Sequence, residues 1–306
     1  MKLGYLGLGK MGYSMVARLR EKGHEIVSYD PSEEARVKTA ELGVTVVDSY
    51  AAVVAALEAP CVILSMIPHA AVDDMLTSLV PLLSPDDLIV DGANSPYEQT
   101  VRRAGEVTAT GVHFLEMGVS GGPGGARTGA CLMIGGERED YERLLPLIKD
   151  IAKGEGYYTH LGPAGAGHYA KMIHNGIEYG MMQAIGEGFV LLKNAPFRYN
   201  LADVCDIYNH GSVIESRLVG WAQSGYEEYG EELESIAPTI GHTGEGEWTV
   251  KEAKRQGVDV PIIEESYQYR VRSAEQPNYI GRVVNMLRNQ FGGHSIKPNE
   301  QPGHGK

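Results

Sequence analysis

Hydrophobic positions follow two different rhythms along the chain. Up to about residue 162, short apolar runs bounded by glycine, proline or aspartate recur: KLGYLGLGKMG, EIVSYD, CVILSMIP, LIVDGANS, HFLEMGVSGG and ACLMIGG. Stretches with apolar residues at helical spacing separate them. Strand-length runs alternating with amphipathic helices predict a parallel sheet covered on both faces. Expected helices are 13–22, 33–42, 50–57, 72–82, 96–106 and 139–151, with further strands at 44–47 and 156–160. From about Gly165 the strand rhythm stops. Helices are expected at 166–194, 201–209, 214–225, 228–234, 246–256, 261–274 and 277–289, then a polar Gly/Pro-rich tail whose end is expected to be disordered.

The first strand runs into Gly7, Gly9 and Gly12, spaced G-x-G-x-x-G, and Asp30 closes the second strand. In this strand–turn–helix–strand context the glycines have separate tasks. Gly7 permits the tight turn, Gly9 lets a pyrophosphate approach the backbone, and Gly12 lets the helix pack on the strand. Leu8, Lys10 and Met11 complete the cofactor turn, and the helix N-terminus faces the phosphates. The fold class is therefore α/β, an N-terminal Rossmann-type doubly wound sheet over 1–162 followed by an all-α substrate and dimerisation domain over 163–290, with the tail at 291–306. Asp30 can accept hydrogen bonds from ribose hydroxyls and would repel a 2′-phosphate, and no arginine follows until Arg36, which favours NAD over NADP. Its other reading is the start of the turn at Pro31. Met66, Ile67, Pro68 and Asn94 fall at the carboxyl ends of strands, where ligands sit in such sheets, although Asn94 can also be a helix cap. Residues 118–129, GVSGGPGGARTG, are too glycine-rich for a core element. They read as a linker or as a backbone cradle for a carboxylate or phosphate, with Ser120, Gly121 and Gly122 as its contacts.

The chemistry is placed on the long helix that begins near 165–168. Lys171, His174 or Asn175, and Glu178 share one face, with Tyr179 adjacent. Two turns separate Lys171 from Glu178, roughly 10 Å along the axis. Such a pair is ordinarily a solvated surface. Here Met172, Ile173, Ile177, Met181, Met182 and Ile185 flank it, and Gly176, Gly180 and Gly186 call for close approach by another backbone or a ligand. Desolvation would move an amine and a carboxyl group toward neutrality from opposite sides, which suits a base and an acid.

Composition narrows the class. With 306 residues, 43% hydrophobic and 22% charged, the chain has the make-up of a globular protein of two domains. A formal charge of -13 argues against nucleic-acid binding, so an anionic substrate needs a local basic cluster. Cys61, Cys131 and Cys205 form no metal pattern and read as buried free thiols. No signal peptide and no apolar run of about 18 residues is evident. A cytoplasmic enzyme with no membrane partner is expected.

GLGKMG, DGANSPY, GVSGGPGGARTGACLM, GPAGAGHYAKMIHNGIEYGMMQA and GEGEWTVKEA together resemble the 6-phosphogluconate dehydrogenase family over roughly 1–294. The length is similar to its short, often NAD-preferring class. The wider β-hydroxyacid dehydrogenase superfamily shares the nucleotide domain, the SGG loop and the lysine, but not the HNGIEYG continuation. The resemblance implies oxidative decarboxylation of 6-phosphogluconate to ribulose 5-phosphate with NAD, a step of the pentose phosphate pathway, without a metal. It implies Lys171 as general base and Glu178 as the acid that protonates the enediol. It implies Asn94, Ser120, Gly121, Gly122, His174 and Asn175 as holders of the substrate carboxylate and hydroxyls. Tyr179 and Arg270 match phosphate contacts, and Arg288 with His294 matches a pair that reaches a neighbouring subunit, hence a homodimer or homotetramer. The sequence departs from the family around GHTGEGEW, where His242, Thr243 and Glu245 stand in place of a phosphate-site lysine. Ala93 replaces the second glycine of the family's DGGNS. The alternative reading is a dehydrogenase of a small, non-phosphorylated 3-hydroxy acid.

Overall fold

The computed structural model describes residues 1–241 and 244–297. The chain divides into two compact units, Met1–Met172 and Ile173–Lys306.

The first unit is a sheet of eight strands: β1 Lys2–Leu6, β2 Glu25–Tyr29, β3 Thr45–Val46, β4 Val62–Ser65, β5 Leu88–Asp91, β6 His113–Ser120, β7 Cys131–Gly136 and β8 Tyr158–Gly162. They lie in the order β3-β2-β1-β4-β5-β6-β7-β8. Every pairing is parallel except β6 with β7. The order reverses between β1 and β4, the crevice where doubly wound sheets bind dinucleotides. Helices α1 Lys10–Glu21, α2 Glu33–Ala40, α3 Tyr50–Ala55, α4 Val72–Leu79, α5 Tyr97–Thr108, α6 Gly122–Thr128 and α7 Arg138–Ile151 accompany the strands. β4 and β5 are buried along their whole length, which is why they read as unbroken apolar runs. Two apolar clusters form, one around Leu3, Tyr5, Met15 and Leu132, the other around Leu6, Ile63, Met75 and Ile89.

The second unit holds most of α8 Ala166–Lys193, then α9 Leu201–Tyr208, α10 Arg217–Tyr229, α11 Glu245–Gln256, α12 Pro261–Arg272 and α13 Tyr279–Gly292. Its core gathers Tyr179, Met182, Phe189, Leu218, Ala222 and Leu287. The helix glycines do meet close neighbours. A Cβ on Gly176 would stand 2.6 Å from Thr249 Cγ2 on α11, and one on Gly186 would stand 3.0 Å from Ile280 Cγ2 on α13.

Three expectations are corrected. The stretch 118–129, expected to be too glycine-rich for a core element, does hold one: residues 122–128 form α6, bracketed by Gly121 at φ +128° and Gly129 at φ +121°, with Gly125 and Ala126 buried. Its small side chains let it lie against α1, where Arg127 Nη1 donates to Glu21 Oε2 at 2.8 Å. The helix expected at 228–234 does not form. Gly230 at φ +73° ends α10, Leu233 turns at φ +48°, and the residues up to Gly241 run without a helix. Ile177 and Met181, expected to desolvate the lysine and glutamate, are 51% and 42% exposed. They stand four apart on the outer face of α8. Among the cysteines, Cys61 and Cys205 are buried, their thiols pushed up to about 12 by burial, while Cys131 is only half-buried. No helix among the described residues is long and apolar enough to cross a membrane. The end of the tail, expected to be disordered, lies outside the described residues.

Candidate active site

The turn after β1 is shaped for a phosphate. Gly7 adopts φ +91°, and a Cβ there would stand 2.6 Å from the Met66 carbonyl oxygen. A Cβ on Gly12 would stand 1.9 Å from Gly7 O, so only glycine lets α1 begin this close to the strand. A Cβ on Gly9 would meet nothing within 4 Å, leaving an open approach to the amides at the start of α1, where Lys10 is exposed and Met11 half-buried. Asp30 Oδ2 accepts the Leu8 N–H at 2.7 Å and Oδ1 the Ser32 N–H at 2.8 Å. Asp30 thus braces the cofactor turn and starts the turn at Pro31, and each oxygen keeps a lone pair for a ribose hydroxyl. Arg36 does come beside it, but its Nη1 donates to the Asp30 and Pro31 carbonyls at 2.7 and 3.1 Å. These residues fit a dinucleotide.

Met66, Ile67 and Pro68 follow β4 directly, with the Met66 N–H donating to Leu6 O at 2.8 Å. Asn94 takes φ +50°, a left-handed conformation that asparagine tolerates, and its Oδ1 accepts the Val119 N–H at 3.3 Å. It is not the cap of α5, which starts three residues later behind Pro96. The contact ties the loop after β5 to the end of β6. Asn94, Ser120, Gly121 and Gly122 therefore form one patch at the carboxyl ends of two adjacent strands.

Lys171 belongs to the same unit and is buried at 6% exposure. A Cβ on Gly118 would stand 2.6 Å from Lys171 Cβ, so the second turn of α8 lies directly on β6. Two buried acids near it carry roles that pattern alone did not reveal. Glu116 on β6 is fully buried, and its Oε1 accepts the N–H groups of Gly165, Gly167 and His168 at 2.9, 2.8 and 3.4 Å. Burial raises its pKa to about 7 against the pull of those three bonds, with the charge of Asp91 raising it further. Asp91, its register partner on β5, is raised to about 6 by burial. Arg103 is the third residue missed. It is 1% exposed and donates to Asp73 Oδ1 and Oδ2 at 2.9 Å each, to Ser95 Oγ at 2.8 Å and to His69 O at 3.3 Å, stapling the loops after β4 and β5. Its signal was present: Thr100, Arg103, Ala104 and Val107 make the buried face of α5 at helical spacing.

In the second unit, His174 Nδ1 lies 3.0 Å from Asn175 Oδ1 and 3.7 Å from Glu178 Oε2, so these three form a cluster on α8. Glu178 keeps 21% of its side chain exposed. One residue on, Tyr179 is buried with the Arg270 guanidinium 3.3 Å above its ring centroid. A Cβ on Gly246 would stand 2.4 Å from Tyr179 Cε2, so the start of α11 packs on the same ring. Arg270 is 3% exposed and its Nη2 is buried without a hydrogen-bond partner. Burial pushes its pKa down to about 10, and the Arg288 charge adds to this. Arg288 is 9% exposed, donates to Asn285 Oδ1 at 3.1 Å, and is lowered by burial too. The charges of Glu178 and Glu245 act on both arginines. His294 turns back on α13, its ring centroid 6.2 Å from that of Phe291 and its carbonyl accepting from Asn289 Nδ2 at 2.8 Å. His242 and Thr243, where the family lysine is replaced, lie outside the described residues.

A family profile described as the NAD binding domain of 6-phosphogluconate dehydrogenase matches residues 2–162, and one described as the 6-phosphogluconate dehydrogenase C-terminal domain matches 167–300. The chain is 40% identical over 297 residues to a putative 6-phosphogluconate dehydrogenase, YqeC, of Bacillus subtilis, covering 97% of this chain and 99% of that one. It is also 40% identical over 297 residues to an NAD(+)-dependent, decarboxylating 6-phosphogluconate dehydrogenase of Haloferax volcanii, covering 97% and 98%. Among solved structures, the Plasmodium falciparum 6-phosphogluconate dehydrogenase aligns with a TM-score of 0.83 at 27% identity, over 98% of this chain and 67% of that one.

The raised pKa of Glu116 has a direction that stability measurements can read. Its folded value of about 7 exceeds the ordinary 4.5, so the favourable contribution is complete below 4.5 and is lost as pH rises through 7. Glu116→Gln removes this titration. In urea unfolding, the midpoint of the variant relative to wild type is expected to move in the variant's favour between about pH 5 and about pH 7.5. A difference that stays flat over that range would show that the carboxyl group titrates normally.

Proposed function

Because the chain belongs to the 6-phosphogluconate dehydrogenase family of oxidoreductases, we propose that it converts 6-phosphogluconate to ribulose 5-phosphate and carbon dioxide. The buried Arg270–Arg288 pair carries the choice of a phosphorylated substrate. Two guanidinium groups taken out of water beside each other are unfavourable until an anion offsets them. Arginine matches phosphate oxygens with paired donors, and the Arg270 Nη2 has a donor to spare. A small non-phosphorylated 3-hydroxy acid would leave both without work.

NAD supplies the hydride acceptor for C3 of the substrate. Lys171 takes the proton of the C3 hydroxyl. It must start uncharged, and its burial disfavours charge there. As an ammonium it then polarises the new C3 ketone while the C1 carboxylate leaves as carbon dioxide. Glu178, two turns along the same helix, protonates the former C2 of the resulting enediol, which becomes C1 of ribulose 5-phosphate. Asn94 with the Ser120, Gly121 and Gly122 turn, and His174 with Asn175, hold the carboxylate and hydroxyls. Gly7, Leu8, Gly9, Lys10, Met11 and Gly12 with Asp30 hold the dinucleotide, and Met66, Ile67 and Pro68 border its nicotinamide.

The chain also works as a homodimer or homotetramer on this reading. Leu191, Phe197, Val213 and Ile214 are more than half exposed around an apolar groove of about 790 Å³ on the second unit. Exposed apolar side chains gathered around one groove mark an interaction site, and a second copy of the chain is its proposed occupant. Analytical ultracentrifugation is expected to show an oligomer, and a monomer at micromolar concentration would remove the proposal.

The decisive assay follows NADH and trapped carbon dioxide with 6-phosphogluconate beside gluconate and 3-hydroxyisobutyrate, and only the first is expected to give both products. Lys171→Ala is expected to lose at least about 10³-fold in kcat, in line with removal of a general base from a shielded site. Glu178→Ala is expected to slow enediol protonation more than hydride transfer in single-turnover experiments. Equal slowing of both steps would break that division of labour. With Asp30 at the ribose, kcat/KM is expected to be higher with NAD than with NADP, and the reverse order would contradict its assigned role.

A further inference from the structure

Glu116 stands where the nucleotide-domain sheet meets the start of α8. The first N–H groups of a helix have no partner within it, and ordinarily a side chain just before the helix accepts from them. Here the acceptor comes from a strand 49 residues earlier in the chain: Glu116 Oε1 takes the N–H groups of Gly165, Gly167 and His168. Glycines make this approach possible. A Cβ on Gly135, the cross-strand partner of Glu116 on β7, would stand 2.2 Å from Oε1. A Cβ on Gly167 would stand 2.4 Å from Met133 O, and Gly118 has Lys171 Cβ directly over it. At Gly118, Gly135 and Gly167 no side chain holds the first turns of α8 away from the strands beneath.

We propose that Glu116 is a positioning residue for Lys171, capping α8 from β6 and so fixing the height and rotation at which the helix carries its amine. The proposal rests on Lys171 being the base. Glu116 does not touch the substrate on this account, so its effect passes through the helix. Its other oxygen, Oε2, is buried without a donor, as is Oδ2 of Asp91, the register partner on β5. A glutamine side chain at this position keeps the acceptor for the three amides and turns an N–H toward the strand that carries Asp91. Aspartate is one methylene too short to reach the helix, and alanine offers no acceptor.

The test compares Glu116→Gln, Glu116→Asp and Glu116→Ala with wild type. Three readouts are taken: kcat and KM for 6-phosphogluconate, NAD affinity by fluorescence titration, and amide hydrogen exchange over residues 165–171. A displacement of order 1 Å in a reacting group costs about 10²-fold, so kcat is expected to fall by about that factor in Glu116→Ala and by about tenfold in Glu116→Asp. Glu116→Gln is expected to stay within about threefold of wild type, because the acceptor is retained. NAD affinity stays native in all three, and exchange at Gly165, Gly167 and His168 quickens in the alanine and aspartate variants alone. Native kcat in a folded alanine or aspartate variant overturns the proposal. So does a joint loss of kcat and NAD affinity in all three, which would mark a purely structural acid. If the alanine variant does not fold, the contrast between aspartate and glutamine decides. If wild type turned over no 6-phosphogluconate, the functional reading would fall, while the exchange pattern would still uphold or sink the cap.

Discussion

One close contact sets the position of Lys171, the seating of the first turns of α8 on β6 and β7. Gly118, Gly135 and Gly167 remove the side chains that would hold helix and strands apart, since a Cβ on any of them would come within 2.6 Å of its neighbour. What remains is a close contact filled by the Glu116 carboxyl group and the stem of Lys171, and such a contact has little slack. A carboxyl group buried in it is costly on its own, by several kcal/mol for a charged form. Three amides at the positive end of a helix offset much of that, and protonation offsets the rest, which is why Glu116 is raised only to about 7. Lys171 inherits its place from this arrangement, one turn beyond the amides that Glu116 holds.

The second unit presents a different physical problem. Arg270 and Arg288 are buried within reach of each other's charge, with Tyr179 stacked on one and Glu178 and Glu245 acting on both. In a chain of net charge -13, such a cluster is the local exception that an anionic substrate requires. Tyr179 follows Glu178 directly, so one helix delivers the proposed acid and one wall of the basic cluster side by side. The small residues recur here with the same purpose: Gly176 lets Thr249 approach α8, and Gly246 lets α11 rest on the Tyr179 ring.

Local signals in the sequence determined a good part of this protein. The G-x-G-x-x-G spacing with Asp30, the alternation of strand and helix, and the long uninterrupted run after Gly165 are set by sterics and periodicity within about 30 residues, so they can be read without a structure. The roles given to Gly9 and Gly12 follow from the same local geometry, one open and one packed against Gly7. Tertiary packing decided the rest. The glycine-rich segment 122–128 is a poor helix former, yet it is helical because α1 needs a partner thin enough to lie against it. Ile177 and Met181 carry the hydrophobicity of core residues but stand 51% and 42% exposed, because burial is set by what packs on a helix face and not by the residue's own character. Glu116 looks in the sequence like any acid in a strand. Its work as a cap depends on Gly165 and Gly167 arriving from 49 and 51 residues away, and no local pattern encodes a hydrogen bond across that distance.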